Sequence, residues 1–239
     1  MKTAVITGAS SGIGLAIALK LKKEGYNVVG SYLNGKEIAT KIEKEHGISY
    51  LKCDVSDEAS VSALFDFAKK TYGRVDVVIA SAGICLQQKP LIDVGANEIE
   101  RVISINLKGA IITNKQAVLS MLCSGGKIIN VSSIFGLKGG SCEVVYSATK
   151  AGVIGLTKSL AEELDCSDID VCCVCPGLID TPMNDHLTYE DKLEFVKECG
   201  LNKIPTADDV SEEIYKILSS CDRLNGKIIP LFAGEIKSI

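Results

Sequence analysis

Seven short runs rich in β-branched and other apolar residues recur along the chain, at positions 3–7, 27–31, 49–52, 75–80, 127–131, 170–175 and 227–231. Between them lie longer segments of helical periodicity at 13–24, 36–46, 58–72, 97–122, 144–164 and 208–221. Such regular alternation of strand and helix leaves few folds open. The run Val75-Asp76-Val77-Val78-Ile79 is almost continuously apolar, which suits a strand buried on both faces in a parallel sheet covered by helices. The expectation is a doubly wound α/β fold of about seven mostly parallel strands. With 239 residues and no linker, repeat or low-complexity stretch, the chain reads as a single domain over 1–239.

The first strand runs into Thr7-Gly8-Ala9-Ser10-Ser11-Gly12-Ile13-Gly14, which opens the first helix. Backbone amides and the positive end of the helix dipole then face a common point, and glycines let a pyrophosphate approach the backbone closely. A strand-to-helix turn needing positive φ would explain one of these glycines but hardly three. The turn therefore reads as a dinucleotide site of Rossmann type, with Gly8, Ser10, Ser11, Gly12, Ile13 and Gly14 against the phosphates. About 20 residues further on such sites usually carry an acid for the adenosine ribose. Here Ser31-Tyr32 stands in its place, which removes a partner for NAD and a repelling charge for NADP. NADP(H) is favoured, although all three arginines, Arg74, Arg101 and Arg223, lie elsewhere in the sequence. Asp54-Val55 ends the third strand, where Asp54 either accepts from the adenine amine or caps the next helix.

Charge and cysteine usage narrow the partners. Lys and Arg number 26 against 30 Asp and Glu, dispersed along the chain, which argues against a nucleic-acid surface and for a small-molecule partner. No apolar run approaches the roughly 18–20 residues that span a bilayer. The N-terminus is too short and Gly-interrupted for a signal peptide, so the ten cysteines are expected to be reduced, in the cytoplasm, and to serve as small core residues. Cys172 and Cys175 have C-x-x-C spacing, but within a strand residues three apart face opposite sides, a poor arrangement for zinc.

The chemistry resides in the second half. In Tyr146-Ser147-Ala148-Thr149-Lys150, i,i+4 spacing on a helix puts a phenol and an ammonium on one face. A cation beside a phenol favours the phenolate, so the Tyr146 pKa is expected to fall towards the range a general acid needs. Asn130-Val131-Ser132-Ser133 ends the fifth strand thirteen residues earlier, at the same edge as the glycine turn, where Ser133 can meet Tyr146.

Together with Ala82-Gly83, Asn106 in Ser104-Ile105-Asn106-Leu107, and Pro176-Gly177-Leu178-Ile179-Asp180-Thr181, these motifs resemble the short-chain dehydrogenase/reductase family along almost the whole chain. The resemblance implies an NAD(P)-dependent oxidoreductase interconverting a ketone and a secondary alcohol. It implies that Tyr146 exchanges a proton with the substrate oxygen, Ser133 orients that oxygen, Lys150 holds the nicotinamide ribose and lowers the Tyr146 pKa, and Asn106 positions a water that relays protons. Ala82, Gly83, Pro176, Gly177, Ile179 and Thr181 would line the cofactor. It further implies homodimers or homotetramers, paired through the 97–122 and 144–164 helices. One departure stands out: Ala80-Ser81-Ala82-Gly83 replaces the family's Asn-Asn-Ala-Gly, removing amides that brace the central strand.

Residues 177–206 form the one long irregular region, with a helical pattern around 189–199, and its place after a strand's carboxyl end marks it as a substrate lid. Leu187, Tyr189, Leu193, Phe195 and Val196 would line an apolar pocket or pack the lid helix on the core. Length and lid most resemble 3-oxoacyl-[acyl-carrier-protein] reductases, making a 3-oxoacyl thioester the first substrate expectation. Free alcohols, sugars or hydroxysteroids come second, because little basic surface is evident for an acidic carrier protein. A nucleotide-binding redox sensor or interaction protein without turnover is a third reading, against which the intact Ser133, Tyr146 and Lys150 speak.

Overall fold

A computed structural model describes residues 1–220 and 222–232. Cys221 and the end of the expected domain, 233–239, lie outside the described residues. The strands are β1 (Thr3–Thr7), β2 (Asn27–Tyr32), β3 (Ser49–Lys52), β4 (Val77–Ala80), β5 (Gly126–Val131), β6 (Ile169–Pro176) and β7 (Ile228–Leu231). They form one sheet in the order β3-β2-β1-β4-β5-β6-β7, every neighbouring pair parallel.

Both faces of that sheet are covered, which is why its central strands lack polar alternation. The helices are α1 (Gly12–Lys23), α2 (Lys36–His46), α3 (Glu58–Tyr72), α4 (Ala96–Ile103), α5 (Gly109–Met121), α6 (Ile134–Lys138), α7 (Val144–Glu163), α8 (Tyr189–Glu198) and α9 (Ala207–Ser219). Ala4 and Ile6 face a cluster with Ile17 and Leu21 of α1 and Val210 and Ile214 of α9. Val5, between them, faces the opposite cluster, with Leu64 and Phe65 of α3 and Ile112 and Ala117 of α5. Cys172 belongs to the first face, whereas Cys173 and Cys175 lie on the other against α7, as a period of two requires. None of the described cysteines is in a disulfide. Among the described residues, no helix is long and apolar enough to cross a membrane.

The helix expected over 97–122 is interrupted. Between α4 and α5 the chain makes a π-helical turn, Ser104–Lys108, which widens the spiral at Asn106 and brings Gly109 against Val55. A Cβ at Gly109 would lie 2.8 Å from the Val55 side chain, so only glycine admits the approach. Such turns favour functional positions because they re-aim a side chain without ending the helix. At the sheet's centre the fully buried Asn130 donates to Thr157 Oγ1 (3.0 Å) on α7 and accepts from Asn114 Nδ2 (2.6 Å) on α5. An unsatisfied amide there would cost about 1–3 kcal/mol. The network instead fixes the end of β5 relative to both helices.

Candidate functional site

The strand order reverses between β1 and β4, and the carboxyl ends of the strands there open into a cleft of about 800 Å³. The glycine turn forms its floor. Ser31 ties the turn to β2: its Oγ accepts from the Gly8 amide (3.2 Å) and its carbonyl accepts from the Ala9 amide (2.8 Å). The Tyr50 hydroxyl donates to the Ala9 carbonyl (2.9 Å). Gly8 takes a φ of 68° and Gly12 one of 51°, both in the left-handed region that glycine enters without strain.

Ser11 sits at the N-cap of α1 without a side-chain capping bond, and no acid lies in the first turn. The amides of Gly12, Ile13 and Gly14 are left without intrahelical partners, facing the cleft, which is the polar environment an anion needs. The residues present therefore fit a dinucleotide.

Further along the cleft stand Tyr32, packed edge-on against Tyr50 (6.4 Å between centroids), and Asp54 with Val55. Asp54 does not cap α3; Asp57 does, accepting from the Ser60 amide (3.0 Å). One Asp54 oxygen instead accepts from the Ser56 amide (2.9 Å) and hydroxyl (2.7 Å), a local turn that presents the carboxylate to the cleft. Ser10, Ala82, Gly83, Pro176, Gly177, Ile179 and Thr181 also line it. The bracing in doubt after β4 is supplied from β1: the Ser81 and Ala82 amides both donate to Thr7 Oγ1, at 3.1 and 3.2 Å.

Ser133, Tyr146 and Lys150 converge at the end of β5. Ser133 is the N-cap of α6 and accepts from the Phe135 amide (3.1 Å). The neighbouring Ser132 hydroxyl donates to the Lys150 carbonyl (2.7 Å), locking β5 to α7. Lys150 is buried; its ammonium donates to the Val131 carbonyl (2.9 Å) and lies 5.6 Å from the centre of the Tyr146 ring.

The expected lowering of the Tyr146 pKa is not what the geometry produces. Burial pushes the phenol up, opposed by the Ser133 hydroxyl beside it. The Lys150 ammonium is directed to a main-chain carbonyl and the ring face instead. Burial lowers Lys150 itself, from its ordinary 10.5 to about 8. Between these values the unfolded chain binds more protons than the native one, so Lys150 makes stability rise with pH across that window. Lys150→Met should flatten the rise. Urea unfolding of the protein without nucleotide, at neutral pH and just above 10.5, should show a wild-type gain of roughly 3 kcal/mol relative to the variant; parallel curves would refute it.

Asn106 is the one expected site residue that the structure keeps behind the cleft wall. Its Oδ1 accepts from the Ile84 amide (2.8 Å), and its Nδ2 donates to the Ile84 carbonyl (2.8 Å) and to Thr149 Oγ1 (3.4 Å). The side chain thus clamps the loop after β4.

Residues of the 177–206 segment border the same cleft. Phe195 of α8 meets Phe135 of α6 at 6.0 Å and 90°, and Lys192 donates to Asp180 (2.8 Å). The expected apolar stripe divides: Leu187 and Phe195 line the cleft, Val196 is buried and Tyr189 faces outward. Cys142 is exposed. Sequence reading missed Cys85, Gln88, Glu143 and His186 in the lining, since nothing but proximity to Tyr146 singles out Glu143 in the chain.

The model of the short chain dehydrogenase family matches residues 2–192. The chain belongs to the short-chain dehydrogenase/reductase family. This dehydrogenase is 37% identical over 217 residues to the cis-4-hydroxycyclohexanecarboxylate dehydrogenase of Sinomonas cyclohexanicum, covering 89% of this chain and 87% of that one. It is also 37% identical over 219 residues to the 3-oxoacyl-[acyl-carrier-protein] reductase FabG of Staphylococcus aureus, covering 89% of each. Its fold is similar to the 3-ketoacyl-(acyl-carrier-protein) reductase of Brucella melitensis complexed with NADH, with a TM-score of 0.91 and 26% identity over 98% of this chain and 97% of that one. The protein is accordingly an oxidoreductase that uses a nicotinamide nucleotide.

Proposed function

We propose that this dehydrogenase interconverts a ketone and a secondary alcohol, with Tyr146 as general acid and base. The observation that carries this is the convergence of the Ser133 and Tyr146 hydroxyls, with Lys150 buried beside them, at the head of a cleft whose floor presents free amides. When bound, the nicotinamide supplies or takes up the hydride. A carbonyl oxygen entering between Ser133 and Tyr146 accepts hydrogen bonds from both, and Tyr146 delivers its proton as negative charge develops there. Lys150, titrating near 8, replaces that proton and holds the nicotinamide ribose. Asn106 fixes the loop carrying Ala82 and Gly83, beside which a relaying water would stand. NADP(H) is preferred, because Tyr32 and not a carboxylate ends β2.

For the substrate, the resemblance supports a 3-oxoacyl thioester, and relatives of equal identity divide between a reductase of such thioesters and a dehydrogenase of a hydroxylated ring, but the geometry supports a free, hydroxylated ketone better. The lid, 177–206, carries six Asp and Glu against three Lys, a poor landing surface for an acidic carrier protein. The wall beside Tyr146 is polar, with Gln88, Glu143 and His186. The test follows NADPH and NADH absorbance with 3-oxoacyl thioesters, ketosteroids and keto sugars. Thioester reduction alone would overturn the free-ketone preference, and nucleotide binding without any turnover would favour a sensor.

Homodimers or homotetramers are supported by apolar residues left outside: Ile111, Leu119 and Leu122, 45–64% exposed, follow one face along α5. Ala148, Ala151 and Gly155 leave an exposed strip of small residues on α7. Sedimentation at micromolar concentration should find a multiple of the monomer; monomer alone would refute it. Unpaired thiols support a reducing compartment such as the cytoplasm.

A further inference from the structure

Glu143 is more than nine-tenths buried, yet it lines the cleft one helical turn before Tyr146. A carboxyl group in such a place needs a reason, because burying it without a cation costs stability. Capping is not that reason: Glu143 occupies the N-cap position of α7, but its side chain makes no capping bond. Nor is it ion pairing with the lysines around the cleft. Lys89 is held by Glu98 (2.8 Å), Lys192 by Asp180 (2.8 Å), and Lys150 by the Val131 carbonyl (2.9 Å). Burial pushes its pKa up, opposed by a hydrogen bond from the Gln88 side chain and by the nearby His186, which leaves the carboxyl with acceptor capacity that no protein cation takes up.

The backbone before it is unusual: Cys142 has a φ of 60°, a left-handed conformation uncommon for a non-glycine residue. At Gly140, a Cβ would lie 3.1 Å from both the Glu143 Cβ and the Phe135 ring, so the turn that leads into Glu143 packs closely beside it.

We infer that Glu143 is a specificity-determining residue that accepts a hydrogen bond from a hydroxyl group of the substrate, making hydroxyketones the preferred substrate class over plain ketones and ketocarboxylates. This rests on the reductase reading above and names the group its substrate must carry. A plain ketone brings the carboxyl no donor beyond Gln88, and a ketocarboxylate brings a like charge near it. The 177–206 segment, with six Asp and Glu against three Lys, carries the same net sign.

The test compares kcat/KM for hydroxycyclohexanones, cyclohexanone and oxocyclohexanecarboxylate in the wild type, Glu143→Gln and Glu143→Leu, with melting temperature and NADPH affinity measured alongside. The wild type should prefer the best hydroxylated ring by at least about tenfold over both others, the scale of one hydrogen bond to a charged group. Glu143→Gln, which can still accept, should keep part of that preference; Glu143→Leu should lose it and admit the carboxylate, with NADPH affinity unchanged. No wild-type preference, or a preference retained within about twofold in Glu143→Leu, overturns the role of Glu143 while leaving the reductase reading in place. Should Glu143→Leu fail to fold, the wild-type ratios and Glu143→Gln still decide. Nucleotide binding with no turnover of any ketone overturns both.

Discussion

Replacing Tyr146 by Phe is expected to lower kcat by about a thousandfold while leaving NADPH affinity within about twofold. Phe keeps the ring, and with it the 5.6 Å approach of the Lys150 ammonium to the ring centre. Only the hydroxyl beside Ser133 is lost, and no other described group at the end of β5 is placed to replace it: Lys150 donates to Val131, and Ser133 has a far higher intrinsic pKa than a phenol. Single-turnover absorbance measures the first quantity and a fluorescence titration the second. Substantial residual turnover would remove Tyr146 from its role, and a parallel loss of nucleotide affinity would make its role structural.

The second large effect is expected at Gly14. A Cβ there would stand 2.3 Å from the Gly8 carbonyl oxygen and 2.9 Å from its carbon, both backbone atoms. Gly8 has little space behind it, since a Cβ on Gly8 would lie 2.9 Å from the Ala82 Cα. Gly14→Ala must therefore part α1 from the turn or push the turn into the loop after β4. Overpacking of this kind costs about 1–3 kcal/mol. It also misaligns the amides that face the phosphates, so NADPH affinity should fall by at least about a hundredfold, since positioning errors of an ångström carry penalties of that order. Urea unfolding and nucleotide titration together test this; unchanged affinity would detach the glycine turn from phosphate binding.

The seven strands were legible because both faces of the sheet are buried, and apolar, β-branched runs survive any detail of packing. The glycine turn, Ser133, Tyr146 and Lys150 were legible for a related reason: each is set by local geometry at a strand end or on one helical face. The π-helical turn at Ser104–Lys108 was not, since the periodicity of 97–122 continues through it and only the Val55 and Ile84 contacts, made across the fold, explain it. The five-residue α6 is too short to leave a periodic trace. The direction of the Tyr146 shift depends on where one ammonium points, and the setting of Glu143 depends on residues brought to it from the 177–206 segment and the loop after β4. Neither is written in neighbouring residues.

Because the sheet is parallel throughout, no two of its neighbouring strands are joined by a hairpin, and each pairing must wait for a crossover to close. The cleft draws on residues from Gly8 to Phe195, carried by the ends of separate strands. The residues lining the cleft are brought together only when the sheet is assembled, so nucleotide binding favours the assembled fold. Nucleotide at a hundred times its dissociation constant would add about 2.7 kcal/mol to the stability of the entire domain. Cofactor supply then acts on the protein's lifetime as well as on its rate.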